Sequence, residues 1–506
     1  MDEVVARYGL PGIAVGIVVD GEVRQVELRG ETVAGSGSAI GRDTLFKVAS
    51  NTKAMTAALL ARQVDAGLLA WDDPVVKHLP GFRMHEDWVT REMQVRDLLI
   101  HNSGLGPGAG DLMLWPEPNS FTREDVIAGL AHLKPRWSFR SRYAYDNTLY
   151  IVAGEVAAAA GGAPFDVLLR REVFEPLRMD GCRIGEWRID GAGSVAAPHG
   201  RRDGAWVARP DGEVVADMPM AAAGGVRCGL DDMLRWVRAW LDPGARDDAG
   251  RPWLSAGQRE AAWTPHMPMP LGRRMRDWNR SHYYAYGHGW RLNDIDGTAK
   301  VAHTGTLSGM YSAVTLLPEL DAGFVILFNA DAGEARTVLE QVLAKHFTAP
   351  EAGRTVAFYA DALAAERAGA RASATAGASL PDDARPGIAA AVSRTAASAD
   401  SLSPWLGRYR DPWFGEISVC ASEDGVRFEA LKSPRLAGPL LRAGDRLLVD
   451  FDTLGADADA WLDFASGPGD GPPRLTMSKV DPEADFSYDY EDLAFQRLGG
   501  CPTSSM

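Results

Sequence analysis

Cysteine is scarce. Four residues, Cys182, Cys228, Cys420 and Cys501, are scattered over 506 positions with no Cys-x-x-Cys pair. That spacing excludes a zinc knuckle and a dense disulfide scaffold, and buried free thiols are expected instead. Basic charge is in deficit as well, with 53 Lys and Arg against 68 Asp and Glu, for a net charge of −15. A surface of that sign repels nucleic acid and anionic membrane, so neither is expected as the main partner. No apolar run reaches the roughly 18 residues that cross a bilayer. The opening residues, Met1-Asp2-Glu3-Val4-Val5, lack the basic and apolar regions of a secretory leader. Two locations stay open: cytoplasmic, or periplasmic or secreted if a leader precedes this sequence. No internal repeat is visible. The histidines show no ligand spacing, so no metal and no other cofactor is expected. His85-Glu86 is not followed by the second histidine of a zinc protease, and there is no Gly-x-Ser-x-Gly elbow.

What is present is an ordinary globular composition, 46% apolar and 24% charged, in a chain long enough for two or three domains. Gly12 to Val19, the turn Asp20-Gly21, and Val23 to Leu28 read as a β-hairpin, since Asp-Gly favours tight primed turns. Helical patterns follow at Arg123 to Leu133, Thr148 to Ala160, Pro164 to Phe174 and Leu230 to Leu241. Strand patterns return near Val301, at Met310 to Leu317 and at Gly323 to Asn329, with a closing helix at Ala335 to Phe347. Early strands, a helical middle and late strands predict one α/β domain, its sheet assembled from both ends of residues 1–350 around a helical insertion. Residues 351–402 are Ala/Pro-rich and read as a linker, partly helical. Residues 403–500 carry short strands between Gly/Asp turns, the pattern of a small all-β barrel or sandwich.

The chain is organised around Phe46 to Leu60, where an apolar run ends at Ser50 and a helical run begins. Lys53 follows at i+3, so hydroxyl and amine share one helical face. A serine alcohol attacks a carbonyl only when a base removes its proton, and a neutral lysine amine is such a base. The same spacing also suits a plain helix cap beside a solvated charge. Two further stretches carry chemistry-bearing residues. Tyr145 and Asn147 precede the helix at Thr148, where Asn147 suits an N-cap and Tyr145 a proton relay or a packing residue. Val301-Ala302-His303-Thr304-Gly305-Thr306 reads as a strand with a glycine that a substrate backbone could approach.

Ser50-x-x-Lys53, Tyr145-x-Asn147 and His303-x-Gly305 occur in that order, with Asp97 to Leu105 between the first two. Together they resemble the serine beta-lactamase and penicillin-binding-protein-like hydrolases, in the branch of class C beta-lactamases and D-stereospecific peptidases. Ala223 to Arg227 and Tyr286 to Trp290 resemble further landmarks of that family. The resemblance implies an α/β (α+β) fold with an antiparallel sheet flanked by helices. It implies Ser50 as the acylated nucleophile, Lys53 as its base and Tyr145 as the assistant in proton transfer. Asn147 would orient substrate and lysine. His303 and Gly305 would lie beside the cleft, and the N–H groups of Ser50 and Thr306 would form an oxyanion hole. Leu406 to Tyr409, Trp413 to Gly415 and Asp485 to Asp489 resemble a lipocalin-like barrel that follows some of these peptidases, serving assembly or limiting access to the cleft.

The implied activity is acyl transfer on amide bonds of short peptides, D-amino-acid-containing ones included, in the manner of an aminopeptidase or amidase. A carboxylesterase or weak beta-lactamase is the rival enzyme, and a catalytically silent binding protein the rival of another class. The expected partners are a small peptide, amide or ester substrate, and further copies of the chain through the barrel. Two departures from the family stand out. His303 replaces the lysine of many beta-lactamases, which weakens the case for carboxylate-bearing substrates. Asp146 adds a carboxylate that would favour a cationic substrate such as a free amine, unless it is a solvated helix-start charge.

Overall fold

The computed structural model describes residues 1–202, 204–209, 211–247, 249–376, 393–451, 458–467, 469 and 471–502. Asp20 and Gly21 both adopt positive φ, 52° and 71°, and turn the strand Gly12–Val19 back into Glu22–Gly30. This hairpin joins the late strands in one sheet. Gly12–Val19 pairs antiparallel with Ala322–Phe328, from Ile13 opposite Phe328 to Val19 opposite Ala322. The order across the sheet continues through Met310–Leu317, Thr298–Leu307, Arg291–Ile295, Tyr284–Tyr286 and Met267–Pro268, eight strands in all. Both ends of the segment therefore build one sheet, as the strand pattern predicts.

Ala322–Phe328 is buried at every position. Its uninterrupted apolar run is needed because both faces of the sheet are covered. One face carries Leu230–Leu241, whose Leu230, Leu234 and Val237 are buried against the hairpin and the central strand. The other carries Gly333–Thr348. The segment expected to be a linker begins as a helix, Val356–Ala376, which lies against Gly333–Thr348 and buries Val356, Tyr359, Ala360 and Leu363 in that layer. Each such aliphatic or aromatic side chain contributes about 2 kcal/mol of burial, enough to dock a helix. Residues 377–392 of the same segment lie outside the described residues. Arg394–Ala396 already pairs with a strand of the next unit.

That unit is a closed barrel. Gly407–Asp411, Gly415–Ser422, Gly425–Ala430 and Ala437–Ala443 form one run of neighbours. Arg446–Val449, Ala460–Ala465, Arg474–Lys479 and Ala494–Gly499 complete it, and Ala437–Ala443 closes the ring on Arg446–Val449. Burial alternates along the strands, and Tyr409, Ile417, Val419, Phe428, Leu440, Leu475 and Phe495 fill the interior. Eight strands leave room for little more than their own side chains.

The barrel does not hang free. Lys432 Nζ lies 2.7 Å from Asp125, Arg136 lies 3.0 Å from Asp492, and the segment 481–489 crosses onto the larger domain. Gly108 makes room for it: with φ +71°, a Cβ there would sit 2.6 Å from the Phe486 carbonyl oxygen.

The cysteines correct the expectation of free thiols. Cys182 is bonded to Cys228 and Cys420 to Cys501, across separations of 46 and 81 residues. Pairs so far apart are brought together by tertiary folding, which spacing alone does not reveal. Closing loops of that length restricts the unfolded chain by about 4 kcal/mol each in the chain-entropy account.

Candidate active site

The helix Thr52–Asp65 is entered through a short turn, Ala49–Asn51. Ala49 holds a positive φ of 49°, a conformation costing about 1–3 kcal/mol, so the surroundings must impose it. They do. Ser312 Oγ donates to the Val48 carbonyl at 2.7 Å and accepts from Asn51 Nδ2 at 2.8 Å, clamping the turn to the sheet from both sides. Ser50 is left partly exposed at the floor of a cavity of about 1390 Å³. Lys53, one turn on, is fully buried.

Lys53 Nζ has three neighbours. It donates to Asn147 Oδ1 at 2.6 Å and to the Ala223 carbonyl at 2.9 Å, and lies 3.3 Å from Ser50 Oγ. The Tyr145 hydroxyl donates to the same Ser50 oxygen at 2.8 Å, and its ring centroid is 4.8 Å from Nζ. Lys53 and Tyr145 thus converge on the Ser50 oxygen, with Asn147 holding the lysine, from four residues spread over 98 positions of sequence. The stretch Asp97 to Leu105 forms the cradle beneath. Buried His101 packs its ring 4.3 Å from that of Tyr145, and its Nδ1 accepts from the Asp146 N–H. Burial, helped by the nearby Lys53 and Arg291 charges, holds the His101 pKa well below the usual histidine range.

Three expected site residues sit differently. The side chain of His303 is wholly buried. One ring nitrogen meets the Tyr286 hydroxyl at 2.8 Å and the other the Thr304 carbonyl at 2.8 Å, so it points away from the cavity. Burial holds it neutral, far below its ordinary pKa. Gly305 does adjoin a close backbone, but that backbone is the protein's own. A Cβ there would lie 2.2 Å from the Val48 oxygen and 2.3 Å from Ser312 Oγ. Strand alternation explains both: Thr304 and Thr306 line the cavity, so residues 303 and 305 face the other way. Asp146 is buried too, accepting from Ser103 Oγ, Thr148 Oγ1 and the Leu149 N–H. It caps the helix Thr148–Gly161 in place of Asn147, and faces neither substrate nor solvent.

Five contributors lie outside the three motifs. The Ala223 carbonyl takes a lysine proton, and Ser312 holds the serine turn. Asp111 Oδ2 accepts from Asn147 Nδ2 at 2.8 Å, and burial pushes its carboxyl up to about 8. Arg291 lines the cavity and donates to Thr304 Oγ1 at 2.6 Å. Among the described residues no carboxylate forms an ion pair with Arg291, and its Nε has no hydrogen-bond partner. Arg336 also lines the cavity, donating to the Gly305 carbonyl and to Thr306 Oγ1.

Residues 1–348 match the family described as Beta-lactamase, and residues 392–497 match a Domain of unknown function (DUF3471). Penicillin-binding protein 4 of Amycolatopsis lactamdurans is 28% identical over 332 residues, covering 65% of this chain and 83% of that protein. The unguisins hydrolase ungD of Aspergillus violaceofuscus is 23% identical over 65% of this chain, which spans 60% of its length. The D-alanyl-D-alanine-carboxypeptidase/endopeptidase AmpH of Escherichia coli is 26% identical over 47% of this chain and 60% of its own length. The octameric penicillin-binding protein homologue of Pyrococcus abyssi shares the fold, at a TM-score of 0.55 and 19% identity over 98% of this chain and 97% of that one. With the family match spanning well over half its length, the chain belongs to the beta-lactamase family of serine hydrolases and penicillin-binding proteins.

Proposed function

We propose that the protein hydrolyses amide bonds of short peptides through an acyl-enzyme on Ser50, with a free carboxylate on the leaving residue as the recognised feature. The observation that carries the mechanism is the set of hydrogen-bonding partners around Lys53 Nζ. A neutral amine has two N–H bonds and one lone pair. Asn147 Oδ1 and the Ala223 carbonyl accept the two N–H bonds, and the remaining neighbour is Ser50 Oγ. In its neutral form the amine therefore directs its lone pair at the serine proton.

Ser50 Oγ attacks the carbonyl carbon as its proton passes to Lys53, and the carbonyl π pair moves onto oxygen. Backbone N–H groups of Ser50 and Thr306 receive that oxyanion, at about 3 kcal/mol per donor. Tyr145, bonded to the same Oγ, carries the proton to the departing amine, and the acyl-enzyme remains. Water then attacks with the same groups acting in reverse. Esters pass through the same steps, their leaving groups being easier to expel.

Substrate preference rests on Arg291. The cation missing at position 303 is supplied from the neighbouring strand, and among the described residues no carboxylate lies within ion-pair distance of it and its Nε has no hydrogen-bond partner. With Asp146 buried, its carboxylate gives no support to a free-amine substrate. The name of the AmpH relative, a carboxypeptidase and endopeptidase, points the same way. The test compares a peptide ending in D-Ala-D-Ala with its C-terminal amide, a D-aminoacyl anilide and a chromogenic cephalosporin. We expect the free-carboxylate peptide to have the highest kcat/KM, and Arg291→Ala to remove that advantage by about tenfold or more. Equal rates on acid and amide would overturn the carboxylate reading. A wild-type protein with no more activity than Ser50→Ala would overturn the hydrolase.

A further inference from the structure

We propose that Asp111, braced by Ser487 of the barrel, is a positioning residue that fixes which end of the Asn147 amide faces Lys53. The inference rests on the reading of Lys53 as the base that activates Ser50. The geometry is a chain of three side-chain contacts. Ser487 Oγ donates to Asp111 Oδ2 at 2.8 Å, Asn147 Nδ2 donates to the same oxygen at 2.8 Å, and Asn147 Oδ1 receives Lys53 Nζ at 2.6 Å. A side-chain amide is close to symmetric in shape and opposite in hydrogen bonding at its two ends. Its orientation is set by its partners.

The orientation decides whether the base works. With Oδ1 towards Lys53, the amide occupies a lysine N–H and leaves the lone pair for Ser50. With Nδ2 towards Lys53, the amide would donate into that lone pair and occupy the electrons that must take the serine proton. An acceptor behind Nδ2 selects the first arrangement, and Asp111 is that acceptor. It is wholly buried, its Oδ1 makes no hydrogen bond among the described residues, and Oδ2 faces Asn147.

Asp111 is in turn held from the other domain. Asp489 accepts from the N–H groups of Gly110 and Leu112 on either side of it, and Ser487 reaches Oδ2 from the same segment. Phe486 packs edge-on to Tyr145 at 5.7 Å between ring centroids. The barrel segment 486–489 thus touches the catalytic apparatus at two points, one of them three contacts from the lysine nitrogen.

The test uses the full-length chain and a fluorophosphonate probe, following the rate of Ser50 labelling alongside kcat and KM on a nitrophenyl ester. Wild type is compared with Asp111→Ala, Asp111→Asn and Ser487→Ala, with folding checked by circular dichroism. We expect Asp111→Ala to label at least about tenfold more slowly with KM little changed. Asp111→Asn, which still offers a carbonyl oxygen to Nδ2, should recover most of the rate. Ser487→Ala should fall between them and wild type. Wild-type rates in Asp111→Ala, or equal losses in Asp111→Ala and Asp111→Asn, would overturn the inference. Should Asp111→Ala fail to fold, an unchanged rate in Ser487→Ala overturns the brace from the barrel. A wild-type protein that takes no label at Ser50 is a separate result, and it defeats the serine mechanism itself.

Discussion

The Val48 carbonyl occupies the space that a side chain on Gly305 would need: an added Cβ there would stand 2.2 Å from its oxygen. The late strand and the serine turn are therefore packed backbone to backbone, with Ser312 Oγ filling the remaining gap at 2.7 Å from the same oxygen. Gly305→Ala should push the turn outward and misplace Ser50. We expect fluorophosphonate labelling to slow by about 100-fold, the size of effect a displacement of about 1 Å has on an oriented nucleophile. A lower melting temperature should accompany it, since overpacking a buried site costs about 1–3 kcal/mol. Unchanged labelling would mean that the turn is not set by this contact.

The sequence made some of this legible and hid the rest for physical reasons. Ser50 and Lys53 are three residues apart across the turn that enters one helix, so local geometry alone puts amine and hydroxyl together. The hairpin was legible through Asp20-Gly21, and the two-ended sheet through strand patterns on either side of a helical middle. The facing of His303 was available from strand alternation, because its neighbours Thr304 and Thr306 cannot share its side of the sheet. Asp111 and Ser487 are different. They are 376 positions apart, and each is an ordinary polar residue in a loop until folding joins them. Arg291 likewise reads as one strand charge among many until folding places it on the cavity wall with no carboxylate at ion-pair distance among the described residues.

His303 bears on specificity through its burial. Replacing it with lysine, the residue common in beta-lactamases, would look like a restoration. The side chain is enclosed by Tyr286 and the Thr304 carbonyl, with Arg291 and Lys53 as the nearest charges and both positive. An ammonium there has no counter-ion. His303→Lys should therefore lower stability by about 3 kcal/mol or more and gain no cephalosporin hydrolysis. Differential scanning calorimetry and a chromogenic cephalosporin assay check both halves. A stable variant with new beta-lactamase activity would show that the lysine reaches the cleft.

The disulfide between Cys182 and Cys228 braces the approach to the serine. Cys228 lies opposite Phe46 in the short strand pair that leads into Val48 and Ser50. Replacing both cysteines with serine should cost about 2–4 kcal/mol, read as a lower urea midpoint. Wild type in reductant should fall to the same midpoint or below it, because the Cys420 to Cys501 bond opens too. A double variant with the wild-type midpoint would leave the bond without a stabilising role.

Asp111 also predicts how stability changes with pH. Burial pushes its carboxyl from 3.8 up to about 8, and neighbouring Asp489 is raised as well, by burial and by the Asp111 charge. Between those two values the folded protein holds a proton that the unfolded chain has released, so stability falls as pH rises across the window. Below the lower value both states are protonated and the penalty vanishes. Above the upper value both are ionised and it stops growing. Asparagine stands in for the protonated acid at every pH. Asp111→Asn should thus melt close to wild type near pH 4 and above it by several degrees near pH 8, a widening gap of at least about 1 kcal/mol. Melting curves of the two proteins in matched buffers test it. A gap that stays constant, or closes with rising pH, would mean that Asp111 is ionised in the folded protein throughout.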